Sequence, residues 1–476
     1  MQASEKDASL ESPPPEPQVT APAAKPMMRF PAREWSLRRK LITFGVADAM
    51  TLALTYSSTG YSSSIRHLQQ DLDMSNTLAL AGVSLFVLGF GVGSLLLGPS
   101  ARVWGKRPVY IVSYLGFTIF AFVASESQNK AMLLASRMLC GIFGSSSLNN
   151  APATSVDLFD PSDQTRYGIL YAQAAFAGPS IGPVISAFLD TRTGWRWNLR
   201  VQAIFVAVTT VLCILFVEET DAIILTRREA EAKGEQPPMT PAQAQPLKFL
   251  GRSLMQPFRW LVTDLVVLFC AIFLSLLYAM IYAFVPLITV VFSGARGFGP
   301  DSTGLVFLAL LVGFMLSGLS VWLLNESLVR ESKTNPSAPA HPPERRLALA
   351  AYLGLLPALA LWLFAWTAPF TSVHFIVPVI AIALFALGAG IIFMALIPYL
   401  AAYRPTEAPN VLASAGFLRA VFAAFWPLCI RPMTDTMTIQ GATSFLAALA
   451  MLMAPLPIFL RRNGATMRAR AAARSQ

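Results

Sequence analysis

The chain has 476 residues, of which 55% are apolar and only 13% charged, well under the roughly 25% charge of a soluble domain. That balance excludes an ordinary set of soluble domains and points to a chain solvated by lipid. The net charge of +10 would suit a nucleic-acid binder, but the cations lie in short connections between apolar segments, which fits membrane orientation and no nucleic-acid partner.

Residues 1–40 open on a Pro-, Glu-, Ser- and Ala-rich stretch that includes Ser12, Pro13, Pro14 and Pro15. With no apolar run for a secretory signal, this segment is expected to be a disordered cytoplasmic tail. A helix needs about 20 apolar residues to cross ~30 Å of hydrocarbon. Windows of that kind fall at 41–60, 77–97, 108–125, 131–152, 167–189 and 197–217, and again at 262–291, 304–324, 346–367, 373–396, 410–430 and 440–460. The expected fold is therefore all-α and integral to the membrane, with twelve spans in two sets of six, 41–217 and 262–460. Between them, 218–261 reads as a cytoplasmic linker broken by Pro237, Pro238, Pro241 and Pro246; a second Pro-rich loop covers 328–345, and 461–476 reads as a cytoplasmic tail. With the N-terminus inside, 27 of the 36 Lys and Arg fall on the cytoplasmic side, 7 outside and two within spans, span-edge arginines being counted with the adjoining connection. That asymmetry places both termini in the cytoplasm of a multi-pass cell-membrane protein.

Ionisable groups within a span cost about 2.5–3.5 kcal/mol on insertion scales, so each needs a partner or a cavity. Asp48 lies in the first span at the head of a polar stripe, Asp48, Thr51, Thr55, Ser58 and Ser62, at helical spacing. A buried carboxylate there can bind and release a proton as access alternates, or it can be a structural acid bonded to a neighbouring helix. Between the second and third spans runs Gly98, Pro99, Ser100, Ala101, Arg102, Val103, Trp104, Gly105, Lys106, Arg107, a turn whose three cations hold it on the cytoplasmic side.

The fourth span carries Arg137, with Gly141 and Gly144 behind it. An arginine cannot discharge, so it either clamps carbonyls or meets an anionic group. The fifth carries Gly178, Pro179, Ser180, Ile181, Gly182 and Pro183, two Gly-Pro pairs that remove donors and smooth one face for close packing. In the second set, Tyr278, Tyr282, Trp366 and Phe393, together with Thr55 of the first span, are candidates to line a cavity, and Arg419 sits within the eleventh span.

Other chemistry is thin. Cys140, Cys213, Cys270 and Cys429 lie apart within apolar segments, and His67, His341 and His374 form no cluster, so neither a metal site nor a triad is expected. The sequence lacks a G-x-x-x-x-G-K-[ST] phosphate loop, so ATP-driven pumping has no support and no cofactor or enzyme activity is expected.

Taken together, these residues resemble the major facilitator superfamily, and within it the fungal twelve-span drug:proton antiporters, from about Trp35 to Arg470. Gly98 to Arg107 matches the loop signature, Arg137 with Gly141 the fourth-span arginine motif, and Gly178, Pro179, Gly182 and Pro183 the antiporter signature. Trp195 to Asn198, Glu218 to Thr220, Pro343 to Leu347, and Pro427 with Leu428 are further family-like stretches.

The resemblance implies two pseudo-symmetric six-helix bundles that rock about a central site, and a monomer whose partners are a small-molecule substrate, protons and the lipid bilayer. It assigns Asp48, Arg137 and Arg419 to proton or substrate coupling. It further assigns Gly98, Arg102, Gly105, Lys106 and Arg107 to a cytoplasmic gate, and the Gly-Pro pairs to a bend that limits leak. At Arg102 relatives usually carry an acid, so the local electrostatics are reversed. The expected activity is proton-coupled export of a secondary metabolite, organic acid or xenobiotic. The alternatives are a nutrient uptake porter and a non-transporting sensor with the same fold.

Overall fold

The computed structural model describes residues 30–160, 163–235, 240–334 and 343–473. The expected tail over 1–29, Pro237, Pro238, residues 335–342 of the 328–345 loop with His341 among them, and the last three residues lie outside them. The described residues are helical, with no strand. Nine helices among them are long and apolar enough to cross a membrane.

Two of the nine are far longer than one crossing. The helix Gln164–Phe216 has 53 residues, roughly 80 Å at 1.5 Å per residue against a core of ~30 Å. Gly194 interrupts it with φ 80°, a conformation open to glycine. The chain reverses there. A methyl group on Gly182 would sit 2.9 Å from the carbonyl oxygen of Tyr56, and Phe205, beyond the break, packs edge-on against the same Tyr56 at 5.7 Å. Ala408–Met453 is interrupted in the same manner at Thr438, φ 64°.

We label the helices α1 (Leu37–Gly60), α2 (Asn76–Trp104), α3 (Lys106–Ser125), α4 (Lys130–Leu158), α5 (164–193), α6 (195–216), α7 (Leu265–Ala295), α8 (Pro300–Glu331), α9 (Ala348–Thr367), α10 (Ile376–Tyr403), α11 (408–437) and α12 (439–453). The first is outside the apolar set because Asp48 and its threonines and serines lower its hydropathy, yet its 24 residues span roughly 36 Å. We call the end of the bundle where α1 starts proximal and the opposite end distal.

Three boundaries differ from expectation. Residues 30–40 are ordered: Ala32 is buried with Phe44, Leu158 and Phe159, and Arg33 donates to the Val156 carbonyl at 3.0 Å. Aromatic contacts and an arginine supply what composition alone did not show. The 218–261 segment contains the helices Ala222–Ala232 and Pro246–Thr263, because Pro246 stands at a helix start, where a missing N–H costs nothing. The expected tail from 461 is helical to Ala473, held by a two-point pair from Arg468 to Glu344 at 2.8 and 2.9 Å.

Candidate functional site

The basic turn is built around one glycine and one carboxylate. Gly105, with φ 96°, joins α2 to α3. The Glu219 carboxylate, just past α6, accepts the backbone N–H of Lys106, Arg107, Thr220 and Asp221 at 3.0–3.1 Å. An anion at a helix N-terminus is favoured by the exposed N–H groups and the dipole. A side chain at position 105 would run into that carboxylate, 3.1 Å from its carbon.

The Lys106 ammonium forms a buried pair with Asp157 of α4, Arg107 donates to the Ile214 carbonyl at 3.4 Å, and Gly98 lies against Asn149. Gly98, Gly105, Lys106 and Arg107 thus tie α2 and α3 to α4 and to the end of α6. Arg102 is exposed and faces elsewhere: its electrostatic neighbours are Asp221 and Glu407, the latter at the start of α11 in the second set. Beside the turn, Arg39 hydrogen-bonds Glu218 and holds its carboxyl below the ordinary carboxylate range.

Arg137 is 3% exposed, and each of its three guanidinium nitrogens makes a hydrogen bond. Its Nε donates to Gly82 O at 3.1 Å, and its two terminal nitrogens to Ser57 O at 2.9 Å and Ser58 O at 3.1 Å. The guanidinium also lies 4.1 Å from the Phe86 ring centre and 4.6 Å from that of Tyr61. It therefore fastens α4 to α1 and α2. Gly89 and Gly141 let α2 and α4 touch backbone to backbone, since a methyl on Gly141 would be 3.0 Å from Gly89 Cα.

The double Gly-Pro motif mates with α1. A methyl on Gly178 would lie 2.6 Å from both Thr55 Cβ and Tyr56 N, and one on Gly182 would lie 2.6 Å from Thr59 Oγ1. The Pro183 carbonyl accepts from Ser63 at 3.1 Å, and Gly304 of α8 rests on Ala187 and Pro183. Pro179 and Pro183 accordingly mark a junction of α1, α5 and α8. Thr55, expected to line a cavity, is instead fully buried at this junction, with its hydroxyl turned back to Thr51 O at 2.9 Å. Ser58 and Ser62 likewise bond their own helix.

The remaining candidates meet where the two sets face each other. The Arg419 guanidinium lies 5.0 Å from the Tyr278 ring centre and 5.9 Å from that of Phe393. Tyr278 and Tyr282 are 5.2 Å apart, and Ser58 of α1 shares a 3.0 Å hydrogen bond with the Tyr282 hydroxyl. Phe176 of α5 stacks on Phe314 at 4.4 Å and meets Phe393 edge-on, while Gln173 donates to Phe314 O at 3.1 Å. In contrast to Arg137, Arg419 has no hydrogen bond or ion pair to any described residue.

Asp48 Oδ1 is buried with no hydrogen-bond partner among the described residues. The Tyr171 phenol of α5 lies within electrostatic range of both Asp48 and Arg419. Trp366 is not part of this centre: it is 58% exposed on the outer face of α9, because that helix is apolar all round and its sequence does not reveal its rotation. Sequence reading missed Tyr171, Gln173, Phe176 and Phe314. Gln173, a lone amide in an apolar run, was the available signal.

At the distal end the two sets are tied directly. Arg66 donates to Ser293 Oγ at 2.7 Å, and Thr191 to Asp301 at 3.0 Å. His67 does have a partner there, Asp190 at 2.7 Å, which also accepts from Ser64 at 2.6 Å. No group of side chains among the described residues is arranged to hold a metal ion.

Residues 49–427 match the family model for the Major Facilitator Superfamily. The chain is 33% identical over 430 residues to the efflux pump FUB11 of Gibberella moniliformis, covering 88% of this chain and 71% of that one. It is 31% identical over 454 residues to the major facilitator superfamily multidrug transporter mdrA of Aspergillus fumigatus, covering 94% and 73%. The efflux pump MFS2 of Trichophyton rubrum is 33% identical over 454 residues, covering 94% and 75%. The crystal structure of the human organic anion transporter MFSD10 (TETRAN) superposes with a TM-score of 0.57 at 18% identity, over 89% of this chain and all of that one, a likeness of fold. The chain is a multi-pass membrane protein and belongs to the Major Facilitator Superfamily.

Proposed function

We propose that this protein exports a small organic molecule by alternating access, coupled to proton entry, through twelve crossings with both termini in the cytoplasm. The observation that carries the reading is the isolation of Asp48. Every buried carboxylate elsewhere among the described residues is engaged: Asp157 by Lys106, Asp190 by Ser64 and His67, Glu219 by four N–H groups, Asp264 by Arg404, and Glu344 by Arg468. Among the carboxylates of the described residues, Asp48 alone offers a buried oxygen without a donor. A carboxylate within a crossing that no fixed donor or cation holds suits a group that gains a proton on one side and loses it on the other.

Substrate contact falls to Arg419, Tyr278, Tyr282, Phe393 and Phe176, which present one cation within an aromatic wall. Arg137 and the Gly-Pro motif hold the first bundle rigid, so that it moves as a body. The relatives named as efflux pumps support the outward direction. Expression in yeast lacking its own drug exporters, with a panel of labelled aromatic and amphiphilic compounds, tests it. At least one compound should accumulate less in energised cells carrying the protein than in cells without it. Raised accumulation would indicate uptake, and no change across the panel would count against transport of this class.

A further inference from the structure

The helix Pro246–Thr263 is not needed by the transport reading. One of its faces is inward: Ser253 and Pro257 are buried, Pro257 O accepts from Ser414 of α11 at 2.8 Å, and Phe258 meets Phe417 edge-on at 5.1 Å. The opposite face is bare and apolar, with Leu247 and Val262 each 83% exposed and Met255 67%; Phe258 sits at the border between the two faces. Positions 247, 251, 255 and 262 form a single stripe at helical spacing. Along its edge run Lys248, Arg252 and Arg259, all exposed, and the helix contains no acidic residue.

Its location follows from connectivity. Only Asp264 separates it from α7, whose first N–H groups that carboxylate caps at 3.1 and 3.4 Å, so the helix ends where a membrane crossing begins. An apolar stripe flanked by cations at that depth matches a helix lying in the headgroup layer with its apolar face among the upper acyl chains. We propose that Pro246–Thr263 lies on the proximal leaflet as an interfacial helix and binds anionic phospholipid through Lys248, Arg252 and Arg259, anchoring the start of α11 to the lipid surface. The charge complementarity selects an anionic monolayer over a protein partner: three cations with no acid attract a uniformly negative surface, and the apolar residues are spread along the helix rather than gathered into a pocket.

The test uses the full chain in liposomes, with Met255→Cys carrying a fluorophore and Cys429→Ala removing the partly exposed native thiol. Brominated phosphatidylglycerol should quench the label more than brominated phosphatidylcholine at equal mole fraction, and aqueous iodide should quench it little. Each cation near an anionic surface contributes about 1 kcal/mol, so Lys248→Gln/Arg252→Gln/Arg259→Gln should lower the preference for phosphatidylglycerol by about 10²-fold. Strong quenching by iodide with none by either lipid would overturn the interfacial placement. Equal quenching by the two lipids in the labelled protein with Lys248, Arg252 and Arg259 intact would overturn the anionic selectivity. Both comparisons require only the Met255→Cys protein, so they stand even if the triple variant does not fold.

Discussion

Arg137→Ala should be chiefly a folding defect. Three hydrogen bonds from a charged donor contribute a net ~1.5 kcal/mol each at the low end, and two desolvated ring contacts add about 1 kcal/mol more. The side chain spans carbonyls on two helices, Ser57 and Ser58 of α1 and Gly82 of α2, so its loss should cost roughly 5 kcal/mol, a large part of the about 5–15 kcal/mol that holds a folded protein together. Arg137→Lys keeps the charge but replaces a three-way fork with one ammonium, which cannot reach both helices in the same geometry. It should retain about one of the three bonds and lose roughly 3 kcal/mol. Denaturant titration of purified protein in nanodiscs, alongside the yield of monodisperse material, measures both. If Arg137→Ala keeps wild-type stability yet loses transport, the clamp is wrong and Arg137 acts on proton or substrate.

Other outcomes follow from the same geometry. Gly178→Ala places a methyl 2.6 Å from the Tyr56 backbone nitrogen, which should cost about 1–3 kcal/mol by overpacking. Thr55→Ala should recover only part of that in a thermal melt, since the backbone contact persists. Arg102→Glu sets a third negative charge near Asp221 and Glu407 and should alter transport rate in a salt-dependent way, with Arg102→Glu/Glu407→Arg restoring it; unchanged flux would mean that Arg102 is no gating partner. For pH, the Glu218 carboxyl is held below its ordinary 4.5 by Arg39, so its contribution is present above pH 4.5 and lost as pH falls through the lowered value. The pair is nearly half exposed, so its contribution should be under about 1 kcal/mol, and Glu218→Gln should flatten the acid limb of a stability-versus-pH curve by no more than that.

The architecture was legible because membrane spans declare themselves by length and composition, and the turn at Gly105 because its cations and glycines are local signals. What sequence could not supply was rotation. Arg137 and Arg419 read alike as arginines in spans, yet one meets three carbonyls and the other only ring faces, a difference set by which neighbours each helix turns toward. Thr55 and Trp366 failed as cavity residues for the same reason. The stripe from Asp48 to Ser62 was read as one helix face, but Ser62 lies in the turn after α1, and the hydroxyls of Thr55, Ser58 and Ser62 bond nearby backbone, Ser58 also meeting Tyr282, leaving Asp48 as the exception. Prolines in 218–261 read as breakers, although Pro246 starts a helix and Pro257 sits within it.

That exception is where the account is most exposed. In liposomes holding the purified protein, an imposed pH gradient should drive net movement of an identified substrate, and each turnover should move protons the opposite way, seen with an internal pH dye. Asp48→Asn should leave substrate binding and downhill exchange in place while abolishing gradient-driven accumulation. Accumulation that ignores the gradient, or that survives intact in Asp48→Asn, would contradict proton coupling through this carboxylate.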